Sequence, residues 1–224
     1  MPIVIDNLVR TRRRTIALIV QPDGTLTVRA PLHLPEARIR HFVEAHADWI
    51  ARQRERIRRS GGPPVRRQYR DGESFLLLGE SHPLQIVPAQ RPALTFDGRS
   101  FRLSRAAVER GEAAFIRWYR QQAAAHLTGR VAALAAAHGF TWKKVRISSA
   151  RTRWGSCSST GTLSFPWRLV LAPPEVIDYV VLHELVHTQV RNHSRAFWAQ
   201  VARRMPEYKT HVRWLKQHGQ KLTI

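Results

Sequence analysis

The sequence is poor in cysteine, in acidic residues and in long apolar runs. Cys157 is the single cysteine among 224 residues, which excludes an intrachain disulfide framework and a cysteine-rich structural metal site. We interpret it as a small strand residue, with a nucleophile or an extra metal ligand as the alternatives. No apolar run approaches the roughly 20 residues needed to span a bilayer, and the first residues do not resemble a signal peptide. We therefore expect a cytoplasmic protein without a membrane span.

Acidic side chains are outnumbered by basic ones, 16 against 37, for a formal net charge of +21. All but five of the basic residues are arginine. Arginine pairs with phosphates through two hydrogen bonds and stacks on bases, so non-specific contact of an arginine-rich surface with nucleic acid is one expectation. The alternative is that the bias reflects genome composition and creates no dedicated site. The sequence predicts no oligomeric state.

One short segment carries most of the chemistry: His183-Glu184-Leu185-Val186-His187, followed by His193. Residues four apart lie on the same face of a helix, so His183 and His187 can direct two imidazoles at one point while Glu184 lies beside them. This arrangement suits two metal ligands and a general base. The alternative is a pair of core histidines satisfied by backbone carbonyls. Apolar residues on nearly every side of the segment predict a buried helix.

His193 lies six residues beyond His187, where a continuous helix would carry it about 120° away from the metal face. The helix must therefore end first, and Asn192 is a candidate left-handed stop. Ser194 is then the predicted N-cap of a new helix, with His193 at the corner between the two. From there His193 can act as third ligand and leave a fourth position to water, as in a catalytic rather than a structural zinc site.

The predicted fold class is α+β. Residues 1–104 form a β-rich N-terminal region, with a hairpin around Pro22-Asp23-Gly24, one long helix over 35–59 and further strands up to residue 103. Between them, the Gly- and Pro-containing segment 58–67 is either an exposed linker or a flexible phosphate clamp.

Residues 105–224 form the second predicted domain. It begins with an Ala-rich helix that adjusts near Gly129 and ends at Gly139. A small antiparallel sheet precedes the His183 helix, which starts at Pro173-Pro174. Two more helices follow, the second opened by Pro206 and ended by Gly219.

Taken together, these motifs resemble the YgjP-like zinc metallopeptidases, relatives of the SprT and WLM groups within the zincins. The resemblance is strongest over residues 140–218 and weaker over the first half. It rests on Arg153-Trp154-Gly155-Ser156-Cys157, on the run Leu169 to Val181, on the His183 to His187 motif, and on Asn192-His193-Ser194 with Phe197-Trp198.

The resemblance implies a zincin-like catalytic domain with a central zinc-binding helix. In it His183, His187 and His193 would bind zinc and Glu184 would be the base. We therefore expect a zinc metallopeptidase that hydrolyses peptide bonds of a protein or peptide substrate by Glu184-assisted attack of water. The SprT and WLM relatives suggest DNA-associated proteins as substrates.

Several points stay open at the level of sequence. Tyr179, Tyr208 and His211 are candidate donors to the oxyanion. The segment Trp154-Gly155-Ser156 could offer an open strand edge to an extended peptide, or Trp154 could simply pack in the core. Two other classes of function compete with the peptidase: a nucleic-acid-binding protein with a non-proteolytic zinc site, and a metal-dependent hydrolase of non-peptide amides.

Overall fold

The computed structural model describes residues 3–21, 23–59 and 67–224. It mixes helices with small sheets and divides into two compact units, Met1–Val65 and Arg66–Ile224. This division falls earlier than the boundary predicted after residue 104. The reason is that Phe75, ahead of that boundary, stacks on Phe115 beyond it, with ring centroids 4.0 Å apart, in one core. The predicted linker or phosphate clamp over 58–67 lies largely outside the described residues.

The first unit contains three strands, β1 (Asn7–Thr11), β2 (Ala17–Val20) and β3 (Leu26–Pro31). The central strand, β3, pairs parallel with β1 and antiparallel with β2. The β2–β3 hairpin is confirmed: Asp23 accepts hydrogen bonds from the Thr25 backbone and hydroxyl, and Gly24 takes the positive φ that the turn requires. The core comprises Leu26, Val28, Ala30, Ile39, Val43 and Ile50.

The prediction of one long helix over 35–59 is wrong, because the segment forms two helices, α1 (Glu36–Ala45) and α2 (Ala47–Arg59). The break is at His46. In a continuous helix its backbone N–H would bond to the Phe42 carbonyl, but that carbonyl contacts the His46 ring Nδ1 at 2.8 Å. The backbone N–H of His46 turns to Val43 instead. A side chain thus competes with the backbone for one acceptor and ends the helix.

The second unit begins with four strands, β4 (Ser74–Leu77), β5 (Glu80–Val87), β6 (Leu94–Phe96) and β7 (Phe101–Ser104), in the order β4-β5-β7-β6. Two antiparallel hairpins are joined by parallel pairing of β5 with β7. The turn around Asp97-Gly98 is closed by Asp97, which accepts from the backbone N–H groups of Arg99 and Ser100.

A 28-residue helix, α3 (Gly111–His138), follows a 3₁₀ turn over Arg105–Arg110. It runs through Gly129 without interruption, so the adjustment predicted there is wrong. Gly129 is exposed and nothing lies within 4 Å of the place where its Cβ would be. The helix ends at Gly139 with a φ of 69°, as predicted. One face is buried at every fourth position, by Phe115, Tyr119, Ala123, Leu127, Val131 and Ala135.

A second sheet contains β8 (Lys144–Ser148), β9 (Ser156–Cys157) and β10 (Thr162–Pro166), in the order β8-β10-β9. The β9–β10 hairpin is antiparallel, whereas β8 and β10 are parallel. The sheet is therefore mixed, and the prediction of an antiparallel sheet is wrong. The chain reverses direction between β8 and β9 and again between β9 and β10, so β8 and β10 run in the same direction. Since β10 lies between the other two strands, it pairs parallel with β8 and antiparallel with β9.

Three helices complete the unit: α4 (Pro174–Val186), α5 (Arg195–Arg204) and α6 (Tyr208–His218). The first begins with a proline in its first turn, as predicted, and is buried on nearly all sides. A bidentate ion pair joins α4 to α3, with Arg130 Nε and Nη2 at 2.7 and 2.8 Å from the Asp178 carboxylate oxygens. Within the described ranges, none of the helices has the length and apolar character needed to cross a membrane.

Candidate metal centre

The end of α4 and the segment after it bring three histidines together. His183 lies in the last turn of α4, His187 immediately follows the helix, and His193 precedes α5. His193 Nε2 lies 3.0 Å from His183 Nε2 and 3.1 Å from His187 Nε2. One nitrogen from each ring falls within 4.8 Å of the others. The three side chains singled out by spacing therefore converge on one point.

The chain reaches this geometry by a different turn from the one predicted. The helix ends at Val186, and Asn192 has no left-handed backbone, so the predicted stop at Asn192 is wrong. Tight turns follow instead, among them a hydrogen bond from Val190 N to Val186 O at 2.9 Å. The predicted N-cap is confirmed, since the Ser194 hydroxyl accepts from Phe197 N at the start of α5.

Arg191 ties the segment that carries His193 to the β9–β10 turn. Its guanidinium donates to the carbonyl oxygens of Ser158 at 2.6 Å and Ser159 at 2.8 Å. Hydrogen bonds from a charged donor are stronger than neutral ones, so they restrain the segment. This role could not be predicted from the sequence, because Arg191 is one of many arginines.

Contacts on the far side of two rings orient them. His187 Nδ1 lies 3.0 Å from the Val190 carbonyl oxygen, and since a carbonyl only accepts, Nδ1 carries the proton and Nε2 keeps its lone pair. His183 Nδ1 lies 3.4 Å from the Tyr179 hydroxyl. Such outer contacts are typical of histidines that bind metals through the opposite nitrogen. Tyr179 thus lies behind a candidate ligand, which removes it from the oxyanion donors.

The donor set fits a metal ion. Tetrahedral ligands at about 2.0–2.1 Å from zinc are about 3.3 Å apart, close to the two Nε2 separations in the structure. Burial, together with the neighbouring imidazoles, lowers the pKa of His183 to about 3, and burial also lowers the pKa of His187. The rings of His183 and His187 are therefore neutral at neutral pH, as ligands must be. The alternative of core histidines satisfied by carbonyls explains only His187 Nδ1, not the converging Nε2 atoms.

Glu184 is buried next to the histidines, with 5% of its surface exposed. Its Oε2 has no hydrogen-bond partner in the described part of the chain. Burial raises the pKa of Glu184 to about 8, although the charge of nearby Arg153 opposes the shift. A buried carboxylate without a partner costs stability, so its presence is explained more readily by chemistry than by packing.

Gly155 makes room for this carboxylate. A Cβ at Gly155 would lie 2.4 Å from Glu184 Oε1 and 2.5 Å from its Cγ, closer than atoms can pack. The sequence indicated Gly155 as part of a motif but gave no reason for it. Only the three-dimensional structure shows that the segment leading into β9 comes close to α4 here.

Phe197 closes the other side of the cluster. It is fully buried, and its ring centroid lies 4.8, 4.4 and 4.9 Å from the rings of His183, His187 and His193. An apolar wall of this kind excludes water from one side of the imidazoles. Sequence reasoning used Phe197 only as part of a family motif and missed this position.

The remaining candidates take other places. The Cys157 thiol donates to the Ser158 carbonyl, burial raises its pKa, and it is not part of the histidine group. His211 is buried beside Tyr179. Trp154 packs near the C-terminus, where a Cβ at Gly219 would come within 2.9 Å of its ring.

Comparison with known families identifies the class of protein. The profile of the family described as "YgjP-like, metallopeptidase domain" matches residues 14–218. The chain therefore belongs to the YgjP-like metallopeptidase family, and it is a metal-dependent hydrolase with protein or peptide substrates. No curated protein matches the chain.

Two solved structures are similar to parts of the chain. The metallopeptidase zymogen abylysin of Pyrococcus abyssi is 21% identical, with 43% of this chain and 99% of abylysin covered at a TM-score of 0.38. The metallopeptidase zymogen jannalysin of Methanocaldococcus jannaschii is 19% identical, with 39% and 94% covered at a TM-score of 0.34.

Proposed function

We propose that His183, His187 and His193 hold a zinc ion and that Glu184 is the general base of a peptidase. The observation that carries the proposal is the convergence of three imidazole nitrogens beside a buried carboxylate. Three imidazoles form a donor set that zinc favours, and they leave room for a further group, as in catalytic sites. Membership of a metallopeptidase family favours this function over a binding protein with a non-proteolytic site.

The chemistry divides between the ion and the chain. When bound, zinc supplies Lewis-acid polarisation of a carbonyl and makes water more acidic. The Glu184 carboxylate takes a proton from the attacking water and passes it to the nitrogen of the departing amine, so that proton uptake and release balance. Burial raises the proton affinity of Glu184, and a cation held by the three histidines would lower it again, which would favour the ionised form that the first of these steps requires. The close approach of Gly155 limits the space in which this side chain can move.

An extended peptide can bind along β9. In the described part of the chain this strand pairs on one side only, with β10, so its outer edge is open for backbone hydrogen bonds. The segment that enters β9 contains Gly155, which touches Glu184. A peptide added to this edge would therefore pass close to the proposed base.

Tyr208 is the strongest of the three candidate oxyanion donors. His211 is buried and Tyr179 contacts His183, whereas the Tyr208 hydroxyl has no hydrogen bond to any described residue. Tyr208 stacks on Trp198, which itself lies beside His183 and His193.

DNA-associated proteins are the substrates that we propose for the site, supported by the net charge of +21. The test is cleavage of a DNA-binding protein by the zinc-loaded enzyme, with and without single-stranded DNA. A Glu184→Gln variant that keeps its zinc is the control. We expect cleavage that the control lacks and that DNA increases.

The outcomes separate the components of the proposal. If wild type and Glu184→Gln behave alike with zinc bound, the role of Glu184 is wrong. If cleavage depends on Glu184 but not on DNA, the peptidase stands and the DNA-associated substrate does not. If peptides resist cleavage while other amides are hydrolysed, the alternative of a non-peptide amide hydrolase is favoured.

A further inference from the structure

A groove of about 580 Å³ opens between α5 and α6. Its volume is in the range of sites that hold small ligands or side chains, roughly 300–1,000 Å³. An apolar and aromatic floor is combined with three cations. We call it the cationic groove; its lining residues are Trp198, Tyr208, Val212, Lys209, Arg213 and Lys216.

The cationic groove adjoins the histidine cluster through Trp198. The indole ring centroid lies 5.8 Å from the ring of His183 and 5.8 Å from that of His193, and it is nearly parallel to the latter. Trp198 also stacks on Tyr208, with ring centroids 5.4 Å apart. Trp198 thus contacts both the proposed metal ligands and the groove, so a group bound there would lie near the histidine cluster.

The three cations lack acidic partners. Lys209, Arg213 and Lys216 are spaced i, i+4 and i+7 along one face of α6, and all are exposed. Across the described ranges no carboxylate forms an ion pair with any of them; the nearby Glu207 is 4.0 Å from His211 instead. Arg213 makes one long hydrogen bond, to the Thr210 hydroxyl at 3.4 Å. A row of like charges is unfavourable by itself and favours an anionic occupant.

We propose that the cationic groove is a specificity subsite for an acidic side chain of the peptide substrate. The Arg213 guanidinium can hold a carboxylate through two hydrogen bonds, the two lysines add charge, and the aromatic floor packs on the methylene groups. The inference rests on the peptidase site proposed above, because the groove is placed relative to the histidine cluster.

The dimensions favour a short acidic group over nucleic acid. Seven residues of helix separate the first and last cation, or about 10 Å along the axis. Sites for single-stranded nucleic acid follow the backbone over about 4–16 nucleotides, which is a longer track. The row on α6 therefore matches one or two carboxylates.

Binding can be measured without turnover in the zinc-loaded Glu184→Gln protein. The probes would be fluorescent peptides that carry Glu, Gln or Lys at one position and are otherwise identical. That position would be moved in turn along both sides of the cleavage site. At one or two positions we expect the Glu peptide to bind at least tenfold more tightly than the Lys peptide. Arg213→Glu/Lys216→Glu should abolish or invert that preference. The matched control, Arg117→Glu/Arg146→Glu, makes the same charge change at exposed residues outside the groove and should retain it.

If the charge-reversal variant Arg213→Glu/Lys216→Glu does not fold, a variant that only removes the two charges can be used for the same test. Arg213→Gln/Lys216→Gln should reduce the preference for Glu by several-fold while the circular dichroism spectrum stays unchanged. Equal binding of the Glu, Gln and Lys peptides at every position would overturn the inference. So would an oligodeoxythymidine that binds more tightly than the Glu peptide and loses this affinity in the same variant, because the groove would then serve nucleic acid.

Cleavage by wild type separates this inference from the proposed function. If cleavage of the peptides depends on Glu184 but no acidic preference exists, the subsite is wrong and the peptidase stands. If no peptide is cleaved but the Glu184→Gln protein binds the Glu peptide through Arg213 and Lys216, the subsite stands and the proposed catalytic role is wrong.

Discussion

Helices α3 and α4 pack together in the same unit, yet they differ in which of their residues are buried. In α3 one face is apolar and buried, the other is exposed, and a left-handed glycine ends the helix. In α4 nearly all positions are buried, and a glutamate with an unpartnered oxygen lies among them. The first pattern stabilises a fold. The second includes an unfavourable burial, which the catalytic role proposed for Glu184 would explain.

The contrast predicts two kinds of variant. Changes to the polar groups of α4 and to their contacts should reduce activity or metal affinity with little loss of folding free energy. Changes on α3 should alter the free energy of unfolding and leave the activity per folded molecule unchanged.

The largest effect is expected from Glu184→Gln. Removing a general base lowers the rate by about 10²–10⁴-fold. The amide cannot take the proton, but it occupies the same space, so zinc content measured by mass spectrometry and the thermal midpoint should stay close to wild type. Loss of zinc together with activity would show that Glu184 supports the metal rather than the reaction.

Leu127→Ala should have the largest effect on stability. Leu127 is fully buried on α3, and replacing such a leucine by alanine costs about 2–5 kcal/mol. Urea unfolding would measure the loss. If kcat per folded molecule falls in parallel, the separation between the two helices is wrong.

Gly155→Ala should reduce activity at least tenfold, a magnitude based on the sensitivity of catalysis to about 1 Å of misplacement. The new methyl group would lie 2.4 Å from Glu184 Oε1, so either the Glu184 side chain or the segment before β9 must move. Cleavage rate and zinc content would be compared with wild type. Unchanged kinetics would show that the Gly155 contact does not position the base.

Tyr179→Phe should weaken zinc binding by about tenfold, the lower end of what outer contacts to metal ligands contribute. The change removes the hydroxyl 3.4 Å from His183 Nδ1 and keeps the ring that packs beside it. Competition with a chromophoric chelator gives the affinity. Equal affinities in the two proteins would exclude an orienting role for this hydroxyl.

Gly129→Ala should have the smallest effect and the opposite sign. Gly129 is exposed within α3 and has open space around its Cβ position, so alanine should stabilise the helix by about 0.5–1 kcal/mol. As a glycine-to-alanine change away from Glu184, it is also the control for Gly155→Ala. A loss of activity would contradict the expectation that changes on α3 affect stability and leave activity unchanged.

Elements governed by local interactions were predicted well. The β2–β3 turn, the stop at Gly139 and the cap at Ser194 all depend on a few neighbouring residues, and all are confirmed. Elements that depend on distant partners were not. Strand β1 was not predicted, because it is stabilised by pairing with β3. The parallel pairing of β8 was not predicted either, because it depends on the position of β10 in the sheet.

The candidate site divides in the same way. Helical periodicity alone directs His183 and His187 to one side of α4, so the sequence determined which side chains could meet. The tertiary structure decided that His193 joins them, through turns and the Arg191 contacts, and that Gly155 faces Glu184. It also formed the groove between α5 and α6. The reason is physical: spacing along a helix is a local property, whereas contacts between elements depend on how the whole core packs.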